Sequence, residues 1–163
     1  MTSDDENSAN IIDHEILCSG KIVDLCYPLP RDYNFLVNLR NNPLVRKEFR
    51  DSRPITREQG HIWLNSHARR MDDLLLLIRH RELMLNIGSI GWSQYDPITR
   101  SAEFGRLALD PVSLRRMVLL NKKMSILLHG LALDAALAIC QYAFSKLNLE
   151  VIRTCYKQHN THS

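Results

Sequence analysis

The amino-acid sequence predicts an α/β (α+β) fold in which helices cover the faces of one mixed β-sheet. The first observation is the element order that the hydrophobic pattern indicates: strand, two helices, three strands, helix and strand. The second is a hairpin signal, because turn residues at 96–99 separate two strand-like runs. The third is a long apolar helix before the last strand, which requires a right-handed crossover onto the preceding strand.

The length and charge distribution predict one domain behind an acidic lead. A chain of 163 residues suits a single hydrophobic core. Residues 1–20 contain five acidic residues and no lysine or arginine, so we expect a flexible acidic N-terminal lead. The predicted domain then covers residues 21–163.

The first half of the domain contains one predicted strand and two helical regions. Lys21–Leu29 alternates weakly and ends in prolines, as a short strand does. Asp32 has N-cap chemistry for a helix, which residues 41–43 (Asn-Asn-Pro) interrupt. Thr56 and Gln59 have capping-box spacing and open a second helix, expected to bury Ile62 and Trp63.

Three strands are predicted in the middle of the chain. Leu74–Ile78 is continuous and apolar, as expected for a strand covered on both faces. Asn86–Tyr95 and Ser101–Leu109 flank the turn Asp96–Thr99 and read as the two arms of a hairpin. Asp110 and Pro111 end the second arm.

A helix and a strand complete the predicted fold. Residues 112–123 are basic and amphipathic and indicate a short helix or loop. Leu131–Leu147 reads as a long, buried helix that Asn148 ends. Val151–Tyr156 is the predicted final strand.

The charged stretches leave two interpretations open. Residues 40–70 contain eight bases against three acids, and residues 100–123 contain six bases against two acids. Such stretches either flank an anionic ligand or lie on solvated helix surfaces. The net charge of +3 comes without a recognition motif, so no nucleic-acid partner is expected.

The cysteines and the chain start predict a cytoplasmic protein without a metal. The chain has no CxxC pair, and none of its four cysteines, at positions 18, 26, 140 and 155, has a histidine at zinc spacing. The first ten residues are acidic and polar, unlike a cationic signal-peptide start, so reduced thiols are expected. Polar residues interrupt the most apolar segment, 126–144, so no membrane partner is expected.

Three stretches of the chain, taken together, resemble one enzyme family. They are Leu39–Arg46, then Ile87–Trp92 with Ala102–Gly105, and finally Tyr142–Phe144 with Leu147–Leu149 and Asn160. Their order and spacing resemble the GCN5-related N-acetyltransferases (GNAT), from about Lys21 to the end. The nearest subgroup includes ribosomal-protein alanine acetylases and amino-sugar acetyltransferases of nucleotide-sugar pathways.

The resemblance implies a largely antiparallel central sheet and an acetyl-CoA-dependent N-acetyltransferase that uses no metal. The acceptor is expected to be a primary amine: the amino sugar of a nucleotide-sugar, a small amine or a protein N-terminus. The alternatives are a catalytically degenerate or truncated GNAT-like binding module and, less favoured, a nucleic-acid binder.

The resemblance implies a phosphate loop for acetyl-CoA just before the long helix. The residues are His129, Gly130, Leu131 and Ala132, where a helix N-terminus would present free N–H groups to a pyrophosphate. The family's Gln or Arg three residues before the glycine is replaced by Leu127. An ordinary helix start is the other interpretation of these residues.

Further cofactor and catalytic residues follow from the same resemblance. The thioester arm is expected beside Leu107, Ala108 and Leu109, and Asn160 is expected to bind the cofactor. Glu103 is the candidate general base; its alternative role is a structural ion pair with Arg100 or Arg106. The chain ends three residues after Asn160, so the C-terminal strands and the family's thiolate-protonating tyrosine are expected to be missing. An open sheet edge near residues 151–156 then predicts a possible homodimer.

The acceptor is expected to contact Arg40, Asn41, Trp63 and Trp92. The basic stretch that begins at Arg40 fits an anionic nucleotide acceptor, and the two tryptophans either line the acceptor pocket or belong to the core.

Overall fold

A computed structural model describes residues 13–67, 69–120 and 124–154 of the chain. The six strands are β1 (Ile16–Ser19), β2 (Val23–Cys26), β3 (Leu74–His80), β4 (Leu85–Asp96), β5 (Ser101–Leu109) and β6 (Val151–Thr154). The five α-helices are α1 (Tyr33–Asn41), α2 (Pro43–Arg46), α3 (Arg57–His67), α4 (Pro111–Leu120) and α5 (Met124–Lys146).

One six-stranded sheet organises these elements, with the strands side by side in chain order from β1 to β6. Neighbours from β1 to β5 are antiparallel, and β6 alone runs parallel to its neighbour β5. A parallel neighbour needs a crossover, which α5 provides. The predicted mixed α/β fold with a largely antiparallel sheet is therefore confirmed.

The two faces of the sheet carry separate cores because side chains alternate along each strand. Leu74, Leu76 and Ile78 of β3 pack in a core cluster with residues of α5. Leu75 and Leu77 face the opposite way and pack in a cluster with α1 and α3. The prediction that Leu74–Ile78 is a strand covered on both faces is therefore confirmed.

Two local predictions about α3 and α5 are confirmed, and one is wrong. Thr56 Oγ1 accepts from the backbone N–H of Gln59, and the Gln59 side chain accepts from the N–H of Thr56. Asn148 follows α5 with a left-handed φ of 53°, the conformation that ends many helices. In α3, however, Ile62 is exposed while Gly60 and Leu64 are the buried residues.

The structure corrects two predicted boundaries, the end of the N-terminal lead and the start of the long helix. β1 lies inside the range predicted as a flexible lead, so the lead does not extend to residue 20. α5 begins at Met124, seven residues before the predicted start at Leu131. Its start could not be read from periodicity because the helix is apolar on nearly all sides.

A carboxylate of α5 fixes the turn between β1 and β2. Asp134 accepts hydrogen bonds from the backbone N–H groups of Lys21, Ile22 and Val23 at 2.8, 2.8 and 3.1 Å. Burial alone would raise the pKa of Asp134, but these three donors outweigh it, and the pKa lies below its usual value. The interaction joins the N-terminal hairpin to the helix on the sheet face.

Replacing Asp134 by Ala should lower the free energy of unfolding by about 2 kcal/mol, because three backbone donors, two of them partly buried, lose a charged acceptor. Because the pKa is lowered in the folded state, this stabilisation is complete above the unfolded pKa and disappears as pH falls through the folded pKa. Chemical denaturation should therefore show the gap between the two proteins closing below about pH 4. Asp13→Asn, at an exposed carboxylate, is the control. A gap that persists unchanged at pH 2 would contradict the proposed role of the Asp134 charge.

Cys18, Cys26 and Cys140 are free thiols, and burial raises the pKa of Cys18 to about 12 and that of Cys26 to about 11. Cys155 lies outside the described residues. Within the described ranges, no helix is long and apolar enough to cross a membrane, and no cluster of three potential metal ligands occurs.

Candidate active site

A cleft of about 700 Å³ lies on the α1/α3 face of the sheet. Its floor comes from β4 and β5, and its walls come from α1, α3 and the segment 49–55. The polar and charged residues that line it are Arg40, Arg50, Asp51, Gln59, Ser89, Ser93, Glu103 and Arg106. The cleft brings together residues from positions 36 to 106, so it is a tertiary feature.

A β-bulge interrupts β5 at the cleft. Gly91 pairs with Gly105, whereas Ser89 pairs with Ala108, so β5 holds one more residue than β4 across this interval. Arg106, within the bulge, has a left-handed φ of 58°, which is uncommon for a residue with a side chain. The Ser89 hydroxyl donates to the Arg106 carbonyl oxygen at 2.9 Å and holds the bulge in place.

The same bulge lies where β5 continues beyond its pairing with β6. The parallel register runs from Ser101–Val151 to Phe104–Thr154. After Phe104, β5 extends through the predicted thioester-arm residues Leu107, Ala108 and Leu109. A Cβ placed on Gly105 would meet no atom of the described residues within 4 Å. There is thus open space at the point where the cleft meets the bulge.

Glu103 lies in the cleft on β5, paired across the sheet with Ser93. Its Oε1 accepts a hydrogen bond from Arg50 Nη2 at 2.9 Å. The Glu103 side chain is 22% exposed and the Arg50 side chain 71% exposed. The predicted partners of Glu103 are engaged elsewhere, since Arg100 pairs with Glu150 and Arg106 with Asp73. The alternative of an ion pair with either of them is therefore wrong.

Arg106 contacts α3 and the turn before β3 besides its own strand. Its guanidinium pairs with Asp73 and lies 5.0 Å from the centre of the Trp63 ring. Burial lowers its pKa, and Asp73 opposes that effect. The bulge residue thus connects β5 to α3 on the wall of the cleft.

Of the predicted acceptor residues, Arg40 and Trp63 line the cleft. Trp92 also borders it but is only 3% exposed, belongs to the α5-side core and donates Nε1–H to the Met71 carbonyl at 2.7 Å. Asn41 is not among the lining residues; its amide bonds both the N–H and the carbonyl of Ile55. Asn41 therefore positions the 49–55 segment.

The phosphate loop predicted at His129, Gly130, Leu131 and Ala132 does not lie at a helix start. All four residues are inside α5, which begins at Met124. Backbone N–H groups inside a helix are used by the helix itself, so this part of the prediction is wrong. Asn160 lies outside the described residues.

Sequence reasoning missed Phe49, Arg50, Asp51 and Arg106 as cleft residues. The basic stretch from residue 40 onwards was the available signal, and it left a solvated surface open as an alternative. Glu103 and Arg50 are 53 positions apart, and no local pattern joins residues at that distance.

The fold has counterparts among known proteins. The chain matches the acetyltransferase (GNAT) domain family over residues 25–163. Among curated proteins there is no match. A GNAT-family acetyltransferase from Bacillus anthracis is 18% identical, with a TM-score of 0.69 over 90% of this chain and 76% of that one.

Two further solved structures share the fold. FdhC, a nucleotide-linked sugar GNAT, is 16% identical, with a TM-score of 0.67 over 91% of this chain and 76% of its own. The spermidine N-acetyltransferase of Vibrio cholerae, in complex with CoA and spermine, is 22% identical, with a TM-score of 0.58 over 81% of this chain and 69% of its own. The family match extends over most of the chain and includes the bulged strand and the cleft, so this protein belongs to the GNAT acetyltransferase family.

Proposed function

We propose that this chain transfers the acetyl group of acetyl-CoA to a primary amine bound in the cleft. The observation that carries the proposal is the β5 bulge, which opens the strand beside the cleft that holds Glu103. Exposed strand backbone pairs with an extended amide-containing ligand as another strand would. The pantetheine arm of acetyl-CoA is such a ligand, and the space at Gly105 leaves room for its thioester.

The residues of β5 have two separate roles in the proposed reaction. Leu107, Ala108 and Leu109 would hold the arm, and Glu103 would accept a proton from the acceptor ammonium so that its nitrogen carries a free lone pair. The neutral amine attacks the acetyl thioester: a C–N bond forms, the C–S bond breaks, the departing sulfur takes a second proton from the nitrogen, and CoA leaves as the thiol. Arg50 must move aside for Glu103 to act, at a low cost, because an exposed ion pair contributes only about 0–1 kcal/mol.

The acceptor classes that fit this proposal are the amino sugar of a nucleotide-sugar, a small amine or a protein N-terminus. Two structural neighbours point to the first two classes, one described as a nucleotide-linked sugar GNAT and the other bound to spermine. Cytoplasmic location and a homodimer through the β6 edge remain predictions.

A thermal-shift measurement with acetyl-CoA, desulfo-CoA and ATP tests the cofactor site. Ligand at a hundred times its dissociation constant should add about 2.7 kcal/mol of stability, for both CoA species and not for ATP. Gly105→Leu should reduce the shift, because its side chain would occupy the open space, whereas Gly105→Ala should retain most of it. Thiol release with an amine then tests transfer. A shift without thiol release for any amine would favour a binding module, and no shift with either CoA species would refute the proposal.

A further inference from the structure

Arg40 is a cleft cation whose charge is not neutralised by a hydrogen-bonded carboxylate. Its Nη2 donates to the backbone carbonyl of Asp51, and its Nη1 is buried without a hydrogen-bond partner among the described residues. The Asp51 carboxylate is engaged by Arg53, which donates to it from Nε and Nη2 at 3.0 and 2.8 Å. The nearest acid in the cleft wall is therefore already paired.

The other two arginines that line the cleft have carboxylate partners, although Arg106 also has a buried Nη1 without a hydrogen-bond partner among the described residues. Arg50 pairs with Glu103, and Arg106 pairs with Asp73. Both acids that line the cleft, Asp51 and Glu103, thus have arginine partners. Arg40 is therefore the cleft arginine without a hydrogen-bonded carboxylate, and the Asp51 charge acts on it only through space.

The surroundings of Arg40 strengthen its attraction for an anion. The guanidinium is half-buried and lies 4.6 Å from the centre of the Phe49 ring. Burial lowers the pKa of Arg40, which means that the cation lacks part of the solvation it would have in water. A negative charge beside it would interact more strongly there than at an open surface.

We propose that the acceptor amine carries a phosphate or carboxylate group, which pairs with Arg40 while the amine lies at Glu103. This inference rests on the proposed function, since it names the class of acceptor for that reaction. Both charged groups line the cleft and contact the same wall segment: Arg40 donates to the Asp51 carbonyl, and the adjacent Arg50 donates to Glu103. A molecule with an anion at one end and an amine at the other matches both.

The test compares amines that differ only in the anion. O-Phosphoethanolamine against ethanolamine probes phosphate, and alanylalanine against its C-terminal amide probes carboxylate; spermidine is the polycation. Wild-type kcat/KM should favour the anionic member of at least one pair roughly tenfold or more, as expected for a hydrogen bond to a charged group. The pair with the larger ratio identifies the anion.

Arg40→Gln should lower kcat/KM for the anionic amine about tenfold more than for its neutral counterpart and so remove that preference, and Arg40→Lys should restore part of it. Arg116→Gln, at an exposed arginine of α4 outside the cleft, is the matched control and should keep the preference. Circular dichroism melts establish that each variant is folded. Equal rates for anionic and neutral amines would overturn the inference while leaving the transferase proposal intact.

Calorimetric binding of O-phosphoethanolamine and alanylalanine, without acetyl-CoA, separates the two proposals. Binding that Arg40→Gln weakens tenfold, with no acetylation of any amine, would support the anion site and reject the transfer reaction. Absence of measurable binding of both anionic amines, together with acetylation of neutral amines, would reject the anion site alone.

Discussion

Replacing Glu103 by Gln should lower kcat for acetyl transfer by about 10²-fold or more, the usual contribution of a general base. Glutamine keeps the size of the side chain and an oxygen for Arg50, but it cannot take a proton from the acceptor ammonium. Steady-state kinetics with acetyl-CoA and the best amine found measure the loss. The acetyl-CoA thermal shift should be unchanged, because the proposed role of Glu103 concerns the acceptor.

The control for this variant is Glu150→Gln, at a 61% exposed side chain paired with Arg100 outside the cleft. It should leave kcat unchanged, and both variants should melt near the wild-type temperature because each affects a partly or largely exposed ion pair. A kcat within twofold of wild type for Glu103→Gln would show that another group removes the proton.

Replacing Gly91 by Ala should destabilise the protein by more than about 3 kcal/mol, beyond the usual cost of overpacking. The added Cβ would lie 1.9 Å from the carbonyl oxygen of Leu74 and 3.2 Å from the Cα of Leu75. Both atoms are backbone of β3, which is hydrogen-bonded on both sides and cannot move away without breaking the sheet. Thermal denaturation should show a melting temperature lower by about 10 °C.

Gly105→Ala supplies a control within the same strand pair, since Gly91 and Gly105 are directly opposite each other. Its Cβ meets nothing within 4 Å among the described residues, so its melting temperature should stay within about 2 °C of wild type. Equal effects of the two substitutions would mean that backbone contact does not explain why glycine occupies position 91.

The features of the fold that could be predicted from the sequence are those that depend on residues close together in the chain. Thr56 and Gln59 cap α3 through adjacent backbone groups, and the left-handed Asn148 ends α5, so short-range signals sufficed for both. β1 was missed because its apolar run, Ile16–Cys18, is too short to show the alternation of a strand and follows an acidic region. It becomes a strand by pairing with β2, and its turn depends on Asp134, more than a hundred positions away.

The candidate site likewise contains residues that local sequence patterns identified and features that depend on the tertiary fold. Glu103 was identified on its strand, but its Arg50 partner depends on how the 49–55 segment folds over the sheet. The bulge has no compositional signal, because an arginine rather than a glycine adopts the left-handed conformation at position 106. The helix-start phosphate site was misplaced for a third reason: an α5 that is apolar on nearly all sides conceals its own beginning.

The wall segment 49–55 is attached to the scaffold at few points. Asn41 holds Ile55, Arg40 holds the Asp51 carbonyl, and Arg50 reaches Glu103, while the sheet itself is built without this segment. In the proposed mechanism, acceptor choice and acetyl delivery therefore depend on different elements of the fold. On this proposal, substitutions in the wall segment would change the acceptor while the backbone pairing of the bulged strand stays intact.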